Sequence, residues 1–401
     1  MNVLVFNCGS SSQGFKLFRT EKDSSLEMIV TGKARNVATK TQAGAFVEWS
    51  GTAGSARREL ELSSHALAAE AIISILDESA MTVDAIGHRF VHGGAEFTST
   101  TLIDSATLPG LKATARLAPI HNPNSLSVIE VCLRRFRGVP NFAVFDTMFH
   151  AGLPEAAYTY GLPSELAEKF NFRKFGFHGL SYQYVSGRTA ELLGRPLDEL
   201  TMVIAHLGTG GSSVVAVRAG RSLDTSIGST MSGLVMSTRC GDIAPEVELE
   251  LMRAGYGVDE IEDILANRSG LVGLAHVSSN LVEIIAGAEK GDRDCKLAVD
   301  VYAHRLSHYL GAYFWLLGGA DAIVFTDDAG TRAWQVRQAV CESAQALGVV
   351  IDPIANQQAV GVEALISAQG SRTAVLVVPT DEEVVIAREV LERLEELDLA
   401  R

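Results

Sequence analysis

Two strand–turn–strand units, about 200 residues apart, constrain the fold of this chain more than any other feature. The first consists of NVLVFN, CGSSSQG and FKLF (2–18), and the second of TMVIAH, LGTGGSS and VVAV (201–217). Apolar β-branched runs favour strands, whereas clustered glycine and serine favour turns. Each unit opens one half of the chain. The sequence therefore predicts a duplicated domain with a phosphate-binding hairpin in each half, although each turn taken alone could be a plain hairpin turn.

Helical patterns separate the predicted strands. Ser63 or Ser64 can cap the helix HALAAEAIISILDES, and Asn124 or Ser125 can cap SLSVIEVCLRRF. The segment CKLAVDVYAHRLSHYLGAYFWLL (295–317) is apolar on more than one face and predicts a central helix. DAIVFTDDAG predicts a strand and then a turn, and 382–397 predicts a charged closing helix. Strands alternating with helices predict an α/β fold.

Two domains are the natural expectation for 401 residues. The predicted first domain is 1–147 plus the returning helix 383–401, and the second is 148–382. Segment 35–55 has few helix signals and predicts short strands and loops.

Charge and cysteine usage narrow the classes of function. The net charge of −14 argues against nucleic acid as a partner, so a site for an anionic substrate must be built locally from backbone amides and arginines. Five cysteines, without a CxxC pair, are typical of a reducing compartment, and no histidine spacing predicts a zinc site. The first residues lack a secretory signal pattern, and no stretch of about 18 apolar residues predicts a membrane span. We expect a cytoplasmic protein.

Polar residues at predicted strand ends are the candidate site residues of the first half. Ser10 and Ser12 lie in a turn whose amides and hydroxyls could bind phosphate oxygens. Asn7 could hold a metal-bound water or only cap the turn. Arg89, in HRFVHGG, could bind a carboxylate or phosphate, or form a structural ion pair. Asp146, in VFDTMFH, could be a catalytic or metal-organising carboxylate, or a turn cap.

The second half offers two further candidates. His178, in KFGFHGLSY, could donate to a developing negative charge, although a lone histidine among aromatic residues is often a core residue. Arg239 lies in the glycine-containing loop STRCGD. Two arginines suit loose phosphoryl transfer, because charge spreads over the equatorial oxygens of the transferring group.

Nine ordered blocks carry a resemblance that covers nearly the whole chain. They are VLVFNCGSSS (3–12), IGHRFVHGG (86–94), APIHNP (118–123), VFDTMFH (144–150), FGFHG (175–179), HLGTGG (206–211), DTSIG (224–228), TRCGDI (238–243) and PTDEEVVIARE (379–389). Together they resemble the acetate kinase family. The resemblance implies two ribonuclease-H-like domains around a cleft, the fold of sugar kinases, actin and the heat-shock chaperone ATPases.

The resemblance also implies roles. Arg89 and Arg239 would clamp the carboxyl phosphate, His178 would steady the transferring phosphoryl group, and Asp146 would be the essential carboxylate, so the two guanidinium groups and the imidazole are expected to meet around one migrating group. The implied remaining residues are Asn7 and Glu382 for Mg²⁺ (or Mn²⁺), and Val91, Ile120 and Phe177 for a small acyl pocket. A homodimer through the second domain, near Tyr302 to Leu317, is also implied.

Departures from the family pattern cluster on the nucleotide side. ATP-using members carry a lysine where this chain has Gly14, HLGNG where it has HLGTG with Thr209, and SSDxR where it has Asn280 and Val282. Their GGxGEN loop becomes DDAGTR (327–332). The pattern is similar to the pyrophosphate-linked branch, which implies acetyl phosphate + phosphate ⇌ acetate + pyrophosphate. The inorganic partner would bind His206, Gly208, Thr209, Gly210 and Gly211.

Three other functions stay open from the sequence. An ATP-dependent acetate or propionate kinase is the nearest alternative, and a butyrate kinase is another. A non-catalytic protein that binds acyl phosphates belongs to a different class, but it would not need the full set from Arg89 to Glu382.

Overall fold

A computed structural model describes residues 1–20, 25–39, 44–52 and 54–399. The chain divides into two compact units. Unit 1 is Met1–Met148 together with the chain from Asp381 onward, and unit 2 is Phe149–Thr380. Residues 40–43 and 53 of the predicted strand-and-loop segment, and residues 400–401 of the predicted first domain, lie outside the described residues.

Fourteen strands are found in the described ranges. Those of unit 1 are β1 Asn2–Cys8, β2 Ser12–Thr20, β3 Leu26–Arg35, β4 Phe46–Gly51, β5 Gly54–Glu59, β6 Ala85–Phe90, β7 Thr101–Leu102 and β8 Asn141–Phe145. Those of unit 2 are β9 Thr201–Leu207, β10 Ser212–Arg218, β11 Arg221–Thr225, β12 Ala322–Thr326, β13 Ala364–Leu365 and β14 Ala374–Val377.

The described α-helices are distributed over both units. Unit 1 contains α1 His65–Glu78, α2 Leu108–Ala113, α3 Asn122–Arg135 and α15 Glu382–Leu399. Unit 2 contains α4 Glu155–Tyr158, α5 Ser164–Phe170, α6 Gly179–Leu193, α7 Pro245–Arg253, α8 Val258–Asn267, α9 Gly270–Ala275, α10 Leu281–Glu289, α11 Arg293–Leu317, α12 Asp327–Arg332, α13 Trp334–Glu342 and α14 Pro353–Gln358. Short 3-10 turns lie at Thr114–Leu117, Met148–His150, Leu197–Glu199 and Gln345–Leu347.

The two sheets share one plan. In unit 1 the strand order is β5-β4-β3-β2-β1-β6-β8-β7, and in unit 2 it is β11-β10-β9-β12-β14-β13. Both sheets contain an antiparallel hairpin, β1–β2 in unit 1 and β9–β10 in unit 2. The first strand of each hairpin pairs in parallel with a further strand, β6 or β12. That strand in turn pairs in parallel with β8 or β14. The predicted α/β fold with a duplicated strand–turn–strand unit is confirmed.

Helices supply the apolar layers against these sheets. In unit 1, α1 and α3 bury apolar side chains against one face of the sheet, in a cluster that includes Leu4, Ile72 and Val128. In unit 2, α11 buries one face, on which Tyr302 and Leu306 are members of the main apolar cluster. Burial of apolar area is the main term that stabilises both units.

Four local predictions need correction or refinement. Ser64 is the residue that caps α1, accepting from the amide of Leu67. Helix α3 begins at Asn122, before both predicted caps, because Pro123 suits a first helical turn. The predicted turn after β12 is helix α12, whose first turn contains Asp327 and Asp328. Helix α11 buries one face only.

No helix of the described residues has both the length and the apolar character needed to cross a bilayer.

Candidate phosphoryl-transfer site

The parallel strands of unit 1 position three of the predicted site residues. Asn7 lies near the end of β1, Arg89 near the end of β6, and Asp146 directly after β8. Carboxyl ends of neighbouring parallel strands meet at one edge of a sheet, where α/β proteins place their sites. Glu382 begins α15, and its carboxylate reaches the same edge.

Arg89 is the centre of this group. Its Nε and Nη2 donate to the two carboxylate oxygens of Asp146 at 2.8 and 2.6 Å. Its Nη1 donates to Oδ1 of Asn7 at 3.0 Å, and its Nε lies 3.5 Å from Glu382. The structure therefore brings together Asn7, Arg89, Asp146 and Glu382. Since an arginine has five N–H groups and three are engaged here, two remain for a bound anion.

The pKa of Arg89 is set by two opposing effects, its burial and the carboxylates beside it. Burial disfavours its charge, but Asp146, Glu382 and Glu383 outweigh that penalty and raise the pKa of Arg89 above its ordinary value. The guanidinium is thus permanently charged and locally compensated.

Two further residues of this group, Glu383 and Lys16, were not predicted from the sequence. Glu383 accepts from Nδ2 of Asn7 at 2.9 Å, and Lys16 lies 2.7 Å from Asp381 and 3.6 Å from Glu383. Burial raises the pKa of Glu383, yet the charge of Lys16 and the bond from Asn7 bring it below its ordinary value. Lys16 follows Gly14 by two positions on one strand, so strand periodicity could have indicated it.

Oxygen donors of this group suit a hard divalent cation. Asn7, Asp146 and Glu382 carry amide and carboxylate oxygens, the ligands that Mg²⁺ prefers. Among the described residues, no group of three or more acidic, histidine or cysteine side chains is arranged to hold a metal ion. Arg89 already contacts oxygens of Asn7, Asp146 and Glu382. The group therefore suits a cation that binds largely through water molecules and substrate oxygens.

The remaining candidates of unit 1 differ in exposure. Ser12 begins β2 and closes the turn by accepting from the amide of Gly9 at 2.8 Å, and Ser10 is exposed in that turn. Val91 is buried, whereas 62% of Ile120 is exposed. A cavity of about 850 Å³ extends from Asn7 and Arg89 across the polar sheet face to Arg57.

In unit 2, His178 is held by a buried hydroxyl pair. Its Nδ1 lies 2.7 Å from Oγ of Ser213, which also bonds the hydroxyl of Tyr182. Burial raises the pKa of Tyr182, which stays protonated and can donate. If Tyr182 donates to Ser213 and Ser213 donates to Nδ1, Nε2 of His178 is the ring nitrogen that carries the hydrogen and can donate it.

The turn between β9 and β10 closes around Gly208 and Gly211. The amide of Gly208 donates to the carbonyl of Gly211 at 3.0 Å. A methyl group at Gly211 would lie 3.3 Å from Nε2 of His178 and 3.7 Å from Nη1 of Arg239. The structure therefore brings His178 and Arg239 to the same glycine of the predicted phosphate turn.

Arg239 differs from Arg89 in its surroundings. Its Nη1 donates to the carbonyl of Thr230 at 3.0 Å, and no ion pair joins it to a carboxylate of the described residues. Burial lowers its pKa from the ordinary value. An arginine that is partly desolvated and not neutralised is suited to bind an anion.

Other predicted residues of unit 2 surround the turn. His206 stacks on His178, with ring centres 4.1 Å apart, and its Nε2 lies 3.0 Å from Asp327. Thr209 is exposed and lies 3.4 Å from a carboxylate oxygen of Asp328. Phe177 is buried, and its carbonyl lies 3.0 Å from Nε2 of His150.

A smaller cavity adjoins this turn in unit 2. Its volume is about 230 Å³, and it is lined in part by Gly208, Thr209, Asn280, Val282 and Asp328. Arg332 also contributes to its wall. Apart from Gly208, these are positions at which the sequence departs from the family pattern described above.

Comparison with known proteins gives consistent similarities. A model described as the Acetokinase family matches residues 2–388. An acetate kinase of Leifsonia xyli is 43% identical over 397 residues, covering 97% of this chain and 98% of that protein. The solved acetate kinase of Porphyromonas gingivalis is 35% identical with a TM-score of 0.89, covering 98% and 99% of the two chains. A propionate kinase of Francisella tularensis is 36% identical with a TM-score of 0.88, covering 98% and 99%.

Proposed function

Because the chain belongs to the acetokinase family, whose members are phosphotransferases of the acetate kinase type, we propose that it catalyses reversible in-line phosphoryl transfer between acetyl phosphate and inorganic phosphate, forming acetate and pyrophosphate. The single observation that carries this proposal is the approach of His178 and Arg239 to Gly211. An imidazole N–H and a guanidinium at a glycine turn provide donors for the equatorial oxygens of a transferring phosphoryl group.

In this reaction an oxygen of inorganic phosphate attacks the phosphorus of acetyl phosphate, and the bond from phosphorus to the carboxyl oxygen breaks. The Nε2–H of His178 and the charge of Arg239 stabilise the transferring group. The backbone and hydroxyl of the Gly208–Gly211 turn bind the phosphate partner, and His206, whose ring nitrogens contact Asp327 and Ser181, contributes through its stacking on His178.

Unit 1 would supply the carboxyl side. The two uncommitted N–H groups of Arg89 would bind a carboxylate or acyl phosphate oxygen, while Asp146 fixes the plane of the guanidinium. Asn7 and Glu382 would hold Mg²⁺ or Mn²⁺ through water. When bound, the cation would neutralise phosphate charge. Val91 and Ile120 are proposed for the acyl group.

The side chains and the space beside the turn support phosphate over a nucleotide as the second partner. Asp327 and Asp328 place two carboxylates where the family pattern has paired glycines, and Asp328 lines the cavity beside the turn. Side chains at these two positions remove the bare backbone on which an adenine can lie. The cavity volume of about 230 Å³ is below the roughly 300–1,000 Å³ of typical small-molecule sites.

Two alternatives have support of their own. The cavity that adjoins Gly208 and reaches Asn280 and Arg332 would be the place for a nucleoside, which supports ADP and ATP as partners. The similarity to a propionate kinase supports propionate as a second acyl group.

Detection of acyl phosphate as its hydroxamate tests these possibilities in one assay. The purified protein is incubated with Mg²⁺ and acetate, propionate or butyrate, with pyrophosphate, ATP or no donor. The proposal expects hydroxamate with pyrophosphate and acetate, and the Arg239→Ala variant serves as the control for contaminating kinases. If hydroxamate forms with ATP but not with pyrophosphate, the pyrophosphate assignment is refuted. If no hydroxamate forms with any donor, a non-catalytic protein that binds acyl phosphates is favoured.

A further inference from the structure

Asp327 makes a contact that its place in the sequence did not indicate. Its Oδ2 lies 3.0 Å from Nε2 of His206, which is almost fully buried, with 6% of its side chain exposed. Because an ionised carboxylate can only accept, the hydrogen must be on Nε2 of His206. The other ring nitrogen, Nδ1, lies 2.9 Å from Oγ of buried Ser181 and can accept from that hydroxyl. Both edges of the His206 ring are therefore fixed.

The backbone on either side of this ring is unusual. Asp327 has a φ of 65° and His178 a φ of 60°, which is the left-handed region that side chains other than glycine seldom adopt. The carboxylate of Asp327 also comes so close to the phosphate turn that a Cβ at Gly208 would lie 2.1 Å from its Oδ2. Residues in sparsely populated backbone conformations cluster at functional sites.

His206 in turn lies flat against His178. The ring centres are 4.1 Å apart and the planes differ by 17°. The ring of His178 is also held by the hydrogen bond between its Nδ1 and Oγ of Ser213. A rotation of His206 would thus displace His178, whose Nε2 faces Gly211.

We propose that Asp327 is a positioning residue, which fixes the tautomer and plane of His206 and, through the stacked rings, keeps Nε2–H of His178 directed at the transferring phosphoryl group. The proposal rests on the proposed role of His178 in phosphoryl transfer. It gives Asp327 a role in catalysis beyond the exclusion of a nucleotide.

Three substitutions separate positioning from exclusion. Asp327→Gly removes the acceptor and is compatible with the left-handed backbone, so the fold should be retained. Asp327→Asn keeps an acceptor oxygen and also tolerates this backbone. Asp328→Gly removes the neighbouring carboxylate, which does not contact His206, and serves as the matched control for the ring signals.

The first readout is the long-range ¹H–¹⁵N NMR spectrum of the imidazoles, assigned with His206→Gln and His178→Gln. In the unsubstituted protein and in Asp328→Gly, His206 should show the Nε2–H tautomer. Asp327→Gly should lose that signature and shift the His178 signals, and Asp327→Asn should retain it. An unsubstituted protein with His206 in the Nδ1–H tautomer would overturn the proposal without reference to any variant.

The second readout separates kcat from KM. Asp327→Gly should lower kcat roughly 10-fold to 100-fold, because a small misplacement of a reacting group is costly, with little change in KM for acetyl phosphate. Asp327→Asn should recover most of kcat. Unchanged ring signals in Asp327→Gly, with or without a gain of ADP-dependent turnover, would overturn the proposal and leave exclusion as the role.

These assays use whichever phosphoryl acceptor the unsubstituted protein accepts. If that acceptor is ADP alone, the pyrophosphate assignment fails, while the ring spectra and kcat still decide the role of Asp327. If no acceptor is used, both the phosphotransferase function and this proposal fail, and the spectra then show whether the pair is structural only.

Discussion

Arg89 and Asp146 form two parallel hydrogen bonds, from Nε to Oδ1 at 2.8 Å and from Nη2 to Oδ2 at 2.6 Å. Asp146 is almost completely buried and 17% of the Arg89 side chain is exposed. Such a bidentate pair fixes the guanidinium in one plane. We therefore expect Asp146 to act on stability and on the proposed carboxyl site together.

Removing Asp146 should therefore destabilise the protein. Asp146→Ala leaves a buried guanidinium that Glu382 and Glu383 compensate only in part, and we expect a loss of about 3 kcal/mol in the free energy of unfolding. Asp146→Asn, which keeps one acceptor, should lose less. Urea denaturation measures both, with the exposed Glu59→Ala as control. A loss below about 1 kcal/mol in Asp146→Ala would contradict the account.

Arg239 should behave in the opposite way. Since no carboxylate of the described residues pairs with it, Arg239→Ala should retain the melting temperature while kcat falls by about 10³–10⁵, the range found for arginines that stabilise phosphoryl transfer. Arg239→Lys should recover little, because it lacks the planar fork. Arg253→Ala, which removes an exposed guanidinium of unit 2, is the control. Near-normal turnover in Arg239→Ala would refute the role.

Gly211 offers a test of geometry rather than charge. In Gly211→Ala the new methyl group would lie 3.3 Å from Nε2 of His178 and 3.7 Å from Nη1 of Arg239, in the space assigned to the phosphoryl group. We expect kcat to fall about 100-fold or more with little change in melting temperature. Gly187→Ala, on α6 with open space around it, is the matched control. Equal kcat values for the two variants would place the reacting group elsewhere.

Two buried histidines of unit 1 predict a pH dependence of stability. Burial lowers the pKa of His88 and of His92 to about 4, from an unfolded value of 6.5. Above 6.5 both states are neutral and stability is complete; as the pH falls from 6.5 toward 4 only the unfolded chain binds protons, so stability is lost. From about pH 7 to about pH 5 the loss should be about 2 kcal/mol per histidine.

Urea denaturation of the protein at pH 7 and at pH 5 measures this loss in the free energy of unfolding. His88→Gln should make the dependence shallower, whereas substitution of the exposed His304 should not change it. An equal slope in His88→Gln and the unsubstituted protein would contradict the assignment.

The fold was largely predictable because local signals agreed with it. Both hairpins, the alternation of strands and helices, and a cap of α1 at Ser63 or Ser64 follow from apolar periodicity and turn residues. The start of α3 was misplaced, because a proline in the first turn and two possible caps gave competing signals. The segment after β12 was predicted as a turn from its aspartates and glycine, yet these residues form the short helix α12.

The site residues that lie at strand ends were predictable from the sequence. The contacts that depend on the direction of individual side chains were not. Asn7, Arg89 and Asp146 end neighbouring parallel strands, and they are in contact. Glu383 follows Glu382 directly, and no local pattern indicates which of two adjacent carboxylates faces Asn7. The contact of Asp327 with His206 joins residues that are far apart in sequence, so only the structure can supply it.

The central claim is that a phosphoryl group passes from acetyl phosphate to inorganic phosphate, and ³²P-labelled phosphate tests it most directly. With unlabelled acetyl phosphate, Mg²⁺ and the purified protein, the account predicts label in pyrophosphate at a rate equal to acetate formation, and none with Arg239→Ala. A parallel incubation with ADP should give little ATP. Stoichiometric ATP formation without labelled pyrophosphate would contradict the claim.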